Sequence, residues 1–276
     1  MIDKKLLIRR ASLVAYFIAV FFVFLILLFP VDRIKAKLES EVRRQTPFEL
    51  TAARISPLFF NQFVLSDVVI SDRSGKVLFE SQSARASVSL SDLLRNLISL
   101  EVKAKAYGGE LLVKTRQGSG GQYVQLDANG LDVGTYAFFK ELGLQVSGTL
   151  GGNAELTGDT GRGRLWLKGL TTRNLKVKGF SVPDLDFDQC WLEADVKADR
   201  LTIRKLNFDG KELKIQCQGD LVLRERGSLN LLVKLKPSER LAREQAALVS
   251  LLKNKDADGY YQFSLGGTLD APMPRL

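Results

Sequence analysis

From Leu213 to Leu223 the chain reads LKIQCQGDLVL, apolar or small at the odd positions and polar at nearly all the even ones. A period of two puts the odd positions on one face of an extended chain, so this stretch has to be a half-buried strand and not a helix. The next segment repeats the pattern, with Leu229, Leu231, Val233 and Leu235 set against Asn230, Lys234 and Lys236. Leu111 and Val113, Leu165 and Leu167, Leu175 and Val177, and Leu192, Ala194 and Val196 carry it through the chain. Turn signals fall between these runs at Gly108-Gly109, Gly118 to Gly121, Gly151-Gly152, Gly161, Asp209-Gly210 and Gly227. The pattern predicts an antiparallel β-meander with one apolar and one wet face.

Residues 13–29, LVAYFIAVFFVFLILLF, carry no charge, and Ala11 and Ser12 extend the run toward the length that crosses a bilayer core of about 30 Å. The run is longer than a signal-peptide core and is followed by Pro30-Val31-Asp32-Arg33, not by a small-x-small cleavage site, so it reads as an uncleaved anchor. Leu13, Val14, Phe17, Ile18, Phe21, Phe22, Phe24, Leu25 and Leu28 are its expected anchor residues. Cations lie on both sides of it, but a short tail with Lys4, Lys5, Arg9 and Arg10 is costly to translocate, whereas long domains cross largely regardless of charge. The expected organisation is a cytoplasmic tail over 1–10, a single-pass inner-membrane anchor over 11–30, a juxtamembrane helix over 31–46 and a periplasmic β-rich domain over 47–276. Ile34, Leu38 and Val42 give the helix a narrow stripe, and Thr46-Pro47 ends it. Three further short helices are expected: one capped by Ser91 and Asp92, one starting at Asp132 with Tyr136, Phe139 and Leu142 on a face, and one from about Ser238 to Lys253.

Reactive chemistry is sparse. The chain has no histidine, which removes Ser-His-Asp and Cys-His catalysis and imidazole metal sites together. It has no GxxxxGK phosphate loop and no GxGxxG opening a helix, so no cofactor is expected. Asp184, Asp186 and Asp188 would share a strand face, where carboxylates can gather calcium or act as an acid/base pair, but Leu185 and Phe187 mark the other side as the apolar one and the aspartates as its wet reverse. The net charge of +9 is spread along the chain without a dense Lys/Arg block, so nucleic acid is not an expected partner. Cys190 and Cys217 fall on one face but two strands apart, about 10 Å, beyond the ~7 Å reach of a disulfide. They read as small buried thiols. The chain is expected not to be an enzyme.

The apolar face is the unusual element. Leu192, Val196, Leu213, Ile215, Leu221, Leu223, Leu231 and Val233 all point to it, with few helices to cover them. They form either an ordinary closed core or a groove for an apolar ligand, and alternation alone fits both. Gly-Thr-Leu occurs twice, at Gly148 to Leu150 and at Gly267 to Leu269, and the repeat is expected to mark two similar strand starts.

In order along the chain, the anchor leads into LFPVDRIKAKLESEV, then FNQFVLSDVVISDRSGKVLFES, SLSDLLRNLISL, KAYGGELLV, LDVGTYAFFKELG, VSGTLGGNAELTG and the closing LGGTLDAPMP. Together these resemble the type II secretion system protein N (GspN) family within the AsmA-like superfamily. The resemblance implies an N-terminal transmembrane helix followed by an antiparallel β-meander folded into an AsmA-like trough or sandwich with a few short helices. The expected function follows the secretion family, for which the resemblance implies a non-enzymatic inner-membrane accessory of type II secretion that contacts the secretin or the inner-membrane platform. For AsmA-like proteins it implies instead a β-trough that shields phospholipid acyl chains in outer-membrane upkeep.

Overall fold

The computed structural model describes residues 31–59, 61–137, 139, 143–174, 176–177, 180–181, 183–223, 227–250, 252, 254–268 and 271–275. The expected anchor, with Leu13, Val14, Phe17, Ile18, Phe21, Phe22, Phe24, Leu25 and Leu28, lies outside the described residues, as do Leu142, Leu175 and Leu269. Among the described residues no helix is long and apolar enough to cross a membrane. The chain divides into two units between Leu90 and Ser91.

In the first unit, helix α1 (Val31–Gln45) precedes three antiparallel strands, β1 (Phe48–Phe59), β2 (Gln62–Asp72) and β3 (Val77–Val88). The helix stops where Thr46 returns both its N–H and its hydroxyl to the Val42 carbonyl (2.9 and 2.7 Å), and Pro47 has no N–H to continue the ladder. The buried face is built of cross-strand rows: Ile55 pairs with Leu65 and Leu65 with Ala84, while Ala52 pairs with Val68 and Val68 with Ser81. The buried Ser81 hydroxyl is satisfied by the Ser83 carbonyl (3.0 Å). A one-turn helix α2 (Leu90–Leu93) lies at the junction of the units.

The second unit is a long antiparallel meander. Its strands are β4 (Ile98–Ala106), β5 (Gly109–Gly118), β6 (Gly121–Asp132), β7 (Gln145–Thr157), β8 (Thr160–Arg173), β11 (Leu185–Lys197), β12 (Arg200–Gly210), β13 (Leu213–Val222), β14 (Leu229–Pro237) and β16 (Tyr261–Gly267), hydrogen-bonded in that order. Two-residue strands β9 (Lys176–Val177) and β10 (Phe180–Ser181) pair as a separate hairpin, while β15 (Asn254–Lys255) and β17 (Pro272–Arg275) pair with β16. The tight β4–β5 connection places Tyr107 and Gly108 at φ 51° and 74°, the doubly positive geometry that matches the twist of a two-residue hairpin. Tyr136, just after a 3-10 turn over Val133–Thr135, packs edge-on against Tyr107 (5.7 Å) at this end of the sheet.

Four expectations need correction. Ser91 and Asp92 lie inside the one-turn helix α2 and do not cap a longer one, since Ile98 already opens β4. Gly151-Gly152 and Gly161 lie within β7 and β8 and do not separate strands. The third helix is not continuous: α3 (Glu239–Glu244) and α4 (Ala246–Val249) are separated at Gln245, which leaves helical geometry at φ −114°, ψ 35°. Nor do the two Gly-Thr-Leu copies mark equivalent strand starts. Gly148 sits inside β7 where the pairing with β8 shifts, at φ 144°, and a Cβ there would come within 3.2 Å of Leu170 Cα. Gly267 instead ends β16, at φ 100°. The shared tripeptide reports a need for glycine backbone in two different local settings.

Candidate functional site: an apolar sheet face

Residues directly opposite each other in a ladder share a face, so the register assembles the site row by row. Cys190 pairs with Leu167 and Phe208, Phe208 with Ile215, Ile215 with Leu235 and Leu235 with Tyr261. The next row holds Leu165, Leu192, Leu206, Cys217, Val233 and Phe263. Ala194, Ile203, Gly219, Leu231 and Leu265 form a third, and Val196, Leu201, Leu221 and Leu229 a fourth. On the other side of β8 the same face continues through Leu150 and Gly152 to Ala128, Leu111 and Ala104. Leu192, Val196, Ile215, Leu221, Leu231 and Val233 are therefore brought onto one continuous surface. Leu213, opposite Pro237, lies at one end of it, and Leu223 lies just past the end of β13, 50% exposed.

What covers this surface decides what it can do. Among the described residues no large side chain is fully buried, and Leu192, Val196, Leu213, Ile215, Leu221, Leu231 and Val233 are all half-buried. A closed sandwich core packs such side chains to near-zero exposure. Burial along it is uneven: Ala194, Ile203, Cys217 and Leu229 are buried, and among the described residues α3 plugs one end. There Leu241 of α3, 7% exposed, joins Leu170, Leu185, Phe187 and Cys190 in a buried cluster, with Phe187 and Phe208 edge-to-face at 5.5 Å. Ser238 caps α3 by accepting the Leu241 N–H (3.1 Å) and donates its hydroxyl to Glu212 (2.6 Å), which also pairs with Arg240 (3.0 Å). These bonds hold the Glu212 carboxyl below its ordinary value, the Ser238 hydroxyl contributing most.

Cys190 and Cys217 are free and buried, on the same face and two strands apart. Burial, with the Asp209 charge adding to it, pushes the Cys190 thiol up to about 11, and burial raises Cys217 as well. Both are poor nucleophiles in this state. Asp184, Asp186 and Asp188 are exposed, with Leu185 and Phe187 buried behind them. Arg173 bridges two of the three, at 3.3 Å from Asp184 and 2.7 Å from Asp186. Among the described residues no cluster of potential metal ligands occurs.

The sequence reading missed a second feature, on the wet face. The chain's two tryptophans, Trp166 and Trp191, are direct cross-strand partners there, 40% and 50% exposed. The signal was present in the strand parity, since each alternates with inward leucines, but which residues stand opposite each other emerges only from the pairing of β8 with β11.

Compared with known proteins, the chain matches no protein-family model, no curated protein and no solved structure.

Proposed function

We propose that this chain is a non-enzymatic accessory of the bacterial envelope, anchored in the inner membrane through residues 11–30 with its β units in the periplasm, and that its working element is the apolar face of the second unit. The observation that carries this reading is the partial exposure of Leu192, Val196, Ile215, Leu221, Leu231 and Val233, which alternate with buried neighbours and which a closed core would bury completely. From β4 to β16 the ladder has nine strand-to-strand steps. At about 4.8 Å per step the face measures about 43 Å across, against about 15 Å for one acyl leaflet of a bilayer core. In this reading a phospholipid acyl chain packs on the face where a second layer would otherwise lie, as the AsmA-like resemblance implies. Contact with aliphatic tails stabilises such a face at about 25 cal/mol per Å² removed from water.

The ordered run of motifs favours a second reading, an accessory of type II secretion that touches the secretin or the inner-membrane platform. Deleting the gene separates the two. Outer-membrane leakage and detergent sensitivity with normal export support lipid handling; exported enzymes retained behind an intact outer membrane support the secretion role and count against the first reading.

A further inference from the structure

The wet face of the second unit carries a cavity that neither reading uses. It measures about 310 Å³, and Trp191 and Tyr260 line it together with the amides of Gln189, Asn207 and Gln216, with Phe208 and Ile215 also contributing to the lining. Each wall is fixed in place. The Asn207 amide, oriented to donate to the Leu206 carbonyl (3.1 Å), accepts the Trp191 Nε1–H (3.0 Å), and the Lys205 ammonium sits 4.7 Å from the indole ring. With its N–H engaged, the indole offers a ligand its ring and not a donor. Tyr260 is held by Asp256, whose carboxylate accepts the Tyr260 N–H (2.8 Å) and whose own N–H donates to the Tyr260 carbonyl (2.8 Å). The Gln216 amide donates to the Tyr260 hydroxyl (3.4 Å), tying the two walls through the floor. At one edge Lys214 and Asp209 form an ion pair (2.9 Å).

A second cavity of about 450 Å³ shares Asn207 and Gln216 with the first, and its charged lining is Arg204, Lys205 and Lys234. Asp195 neutralises Arg204 and Asp256 neutralises Lys234 (3.2 Å). Lys205 is directed at the indole instead, which leaves an excess of positive charge in this cavity. Beside the site, Gly151 faces Trp166, where a Cβ would come within 2.5 Å of the indole nitrogen, so β7 is shaped around the second tryptophan.

Phe208, Ile215 and Leu232 contribute apolar surface, but the amides, the ion pair and the ammonium groups dominate the lining, and an acyl chain would strip water from them without replacing their hydrogen bonds. A sugar ring fits this lining: its C–H faces can rest on the ring faces of Trp191 and Tyr260 that Lys205 and Lys236 (5.4 Å from the Tyr260 ring) leave open, and its hydroxyls both donate to and accept from Asn and Gln. The cationic cavity next to it adds a place for a carboxylate or phosphate. We infer that the paired cavities between Trp191, Tyr260 and Lys205 form a binding site for an acidic glycan, distinct from the apolar face on the opposite side of the sheet.

The test uses the full chain in lauryldimethylamine oxide micelles carrying Trp166→Phe, which makes Trp191 the sole tryptophan reporter. Titration with a galacturonate hexamer at physiological salt is expected to give a saturable change in Trp191 emission, with cellohexaose at least about tenfold weaker. Gln216→Ala is expected to weaken galacturonate binding about tenfold, as the loss of one well-placed hydrogen bond to a charged or polyhydroxyl ligand does. Calorimetry on Trp191→Ala serves as the charge control, because that variant keeps every cation. The inference is overturned by the absence of any saturable response, by equal affinity for the two saccharides, or by galacturonate binding that Trp191→Ala leaves unchanged, which would reduce it to attraction by net positive charge.

Discussion

Val233→Thr distinguishes an open face from a closed core without changing side-chain volume. Val233 lies in the middle of the apolar surface, directly opposite Cys217 on β13 and Phe263 on β16, and is half-buried. Exchanging a methyl for a hydroxyl forfeits about 0.8 kcal/mol when the methyl is fully buried, hence about 0.6 kcal/mol at this partly buried position. On an open face the new hydroxyl keeps its water. In a closed core it would lose that water without gaining a partner, adding about 1–3 kcal/mol. With a urea slope of about 2.5 kcal/mol/M, the open face predicts a midpoint shift of about 0.2 M and the closed core one of about 0.7–1.5 M. Pulse proteolysis of the full chain held in amphipol and stripped of phospholipid, across a urea series, reads this directly. A shift beyond about 0.7 M would refute the argument from half-burial.

Leu241→Ala should behave in the opposite way, since it empties the end of the sheet that α3 covers: a loss of about 2–5 kcal/mol is expected by the same assay, with faster alkylation of Cys190 beneath it. In the unsubstituted chain at pH 8, both thiols should react with iodoacetamide far more slowly than in urea, because their raised values leave little thiolate; mass spectrometry of the labelled chain checks this. Glu212 is depressed in the folded state, so its contribution to stability is present above its ordinary value of 4.5 and is lost as the pH falls through the lower folded value. Glu212→Gln should therefore flatten the pH dependence of the urea midpoint on the acid side. Gly148→Ala should cost about 1–3 kcal/mol, measured as a lowered urea midpoint, because φ 144° and the Leu170 backbone 3.2 Å away both oppose a Cβ.

The strands of the second unit were legible because alternation is a local property: Leu213, Ile215, Cys217 and Leu221 announce β13 without reference to anything else in the chain. The same logic placed Leu185 and Phe187 inward and the aspartates outward, and the Thr46-Pro47 stop coincides with the end of α1. What alternation could not supply was pairing. That Trp166 stands opposite Trp191, or that Arg173 reaches both Asp184 and Asp186, depends on the register of β8 with β11, which shorter or longer connections would have changed. The break between α3 and α4 was hidden for a related reason. The helical pattern runs on through Leu248 and Val249, while the cap that fixes α3 draws on Glu212, 26 residues before Ser238. Whether an apolar face is covered is a matter of what the rest of the chain leaves over it, and no short window of sequence contains that.

The most direct test of the central claim is to place a benzophenone photo-crosslinker at Val233, and separately at Leu221, in the full chain in living cells, and to identify the adducts by mass spectrometry after irradiation. Lipid adducts at both positions are the predicted result. Adducts only within the chain, or only to other proteins, would contradict an acyl-binding face.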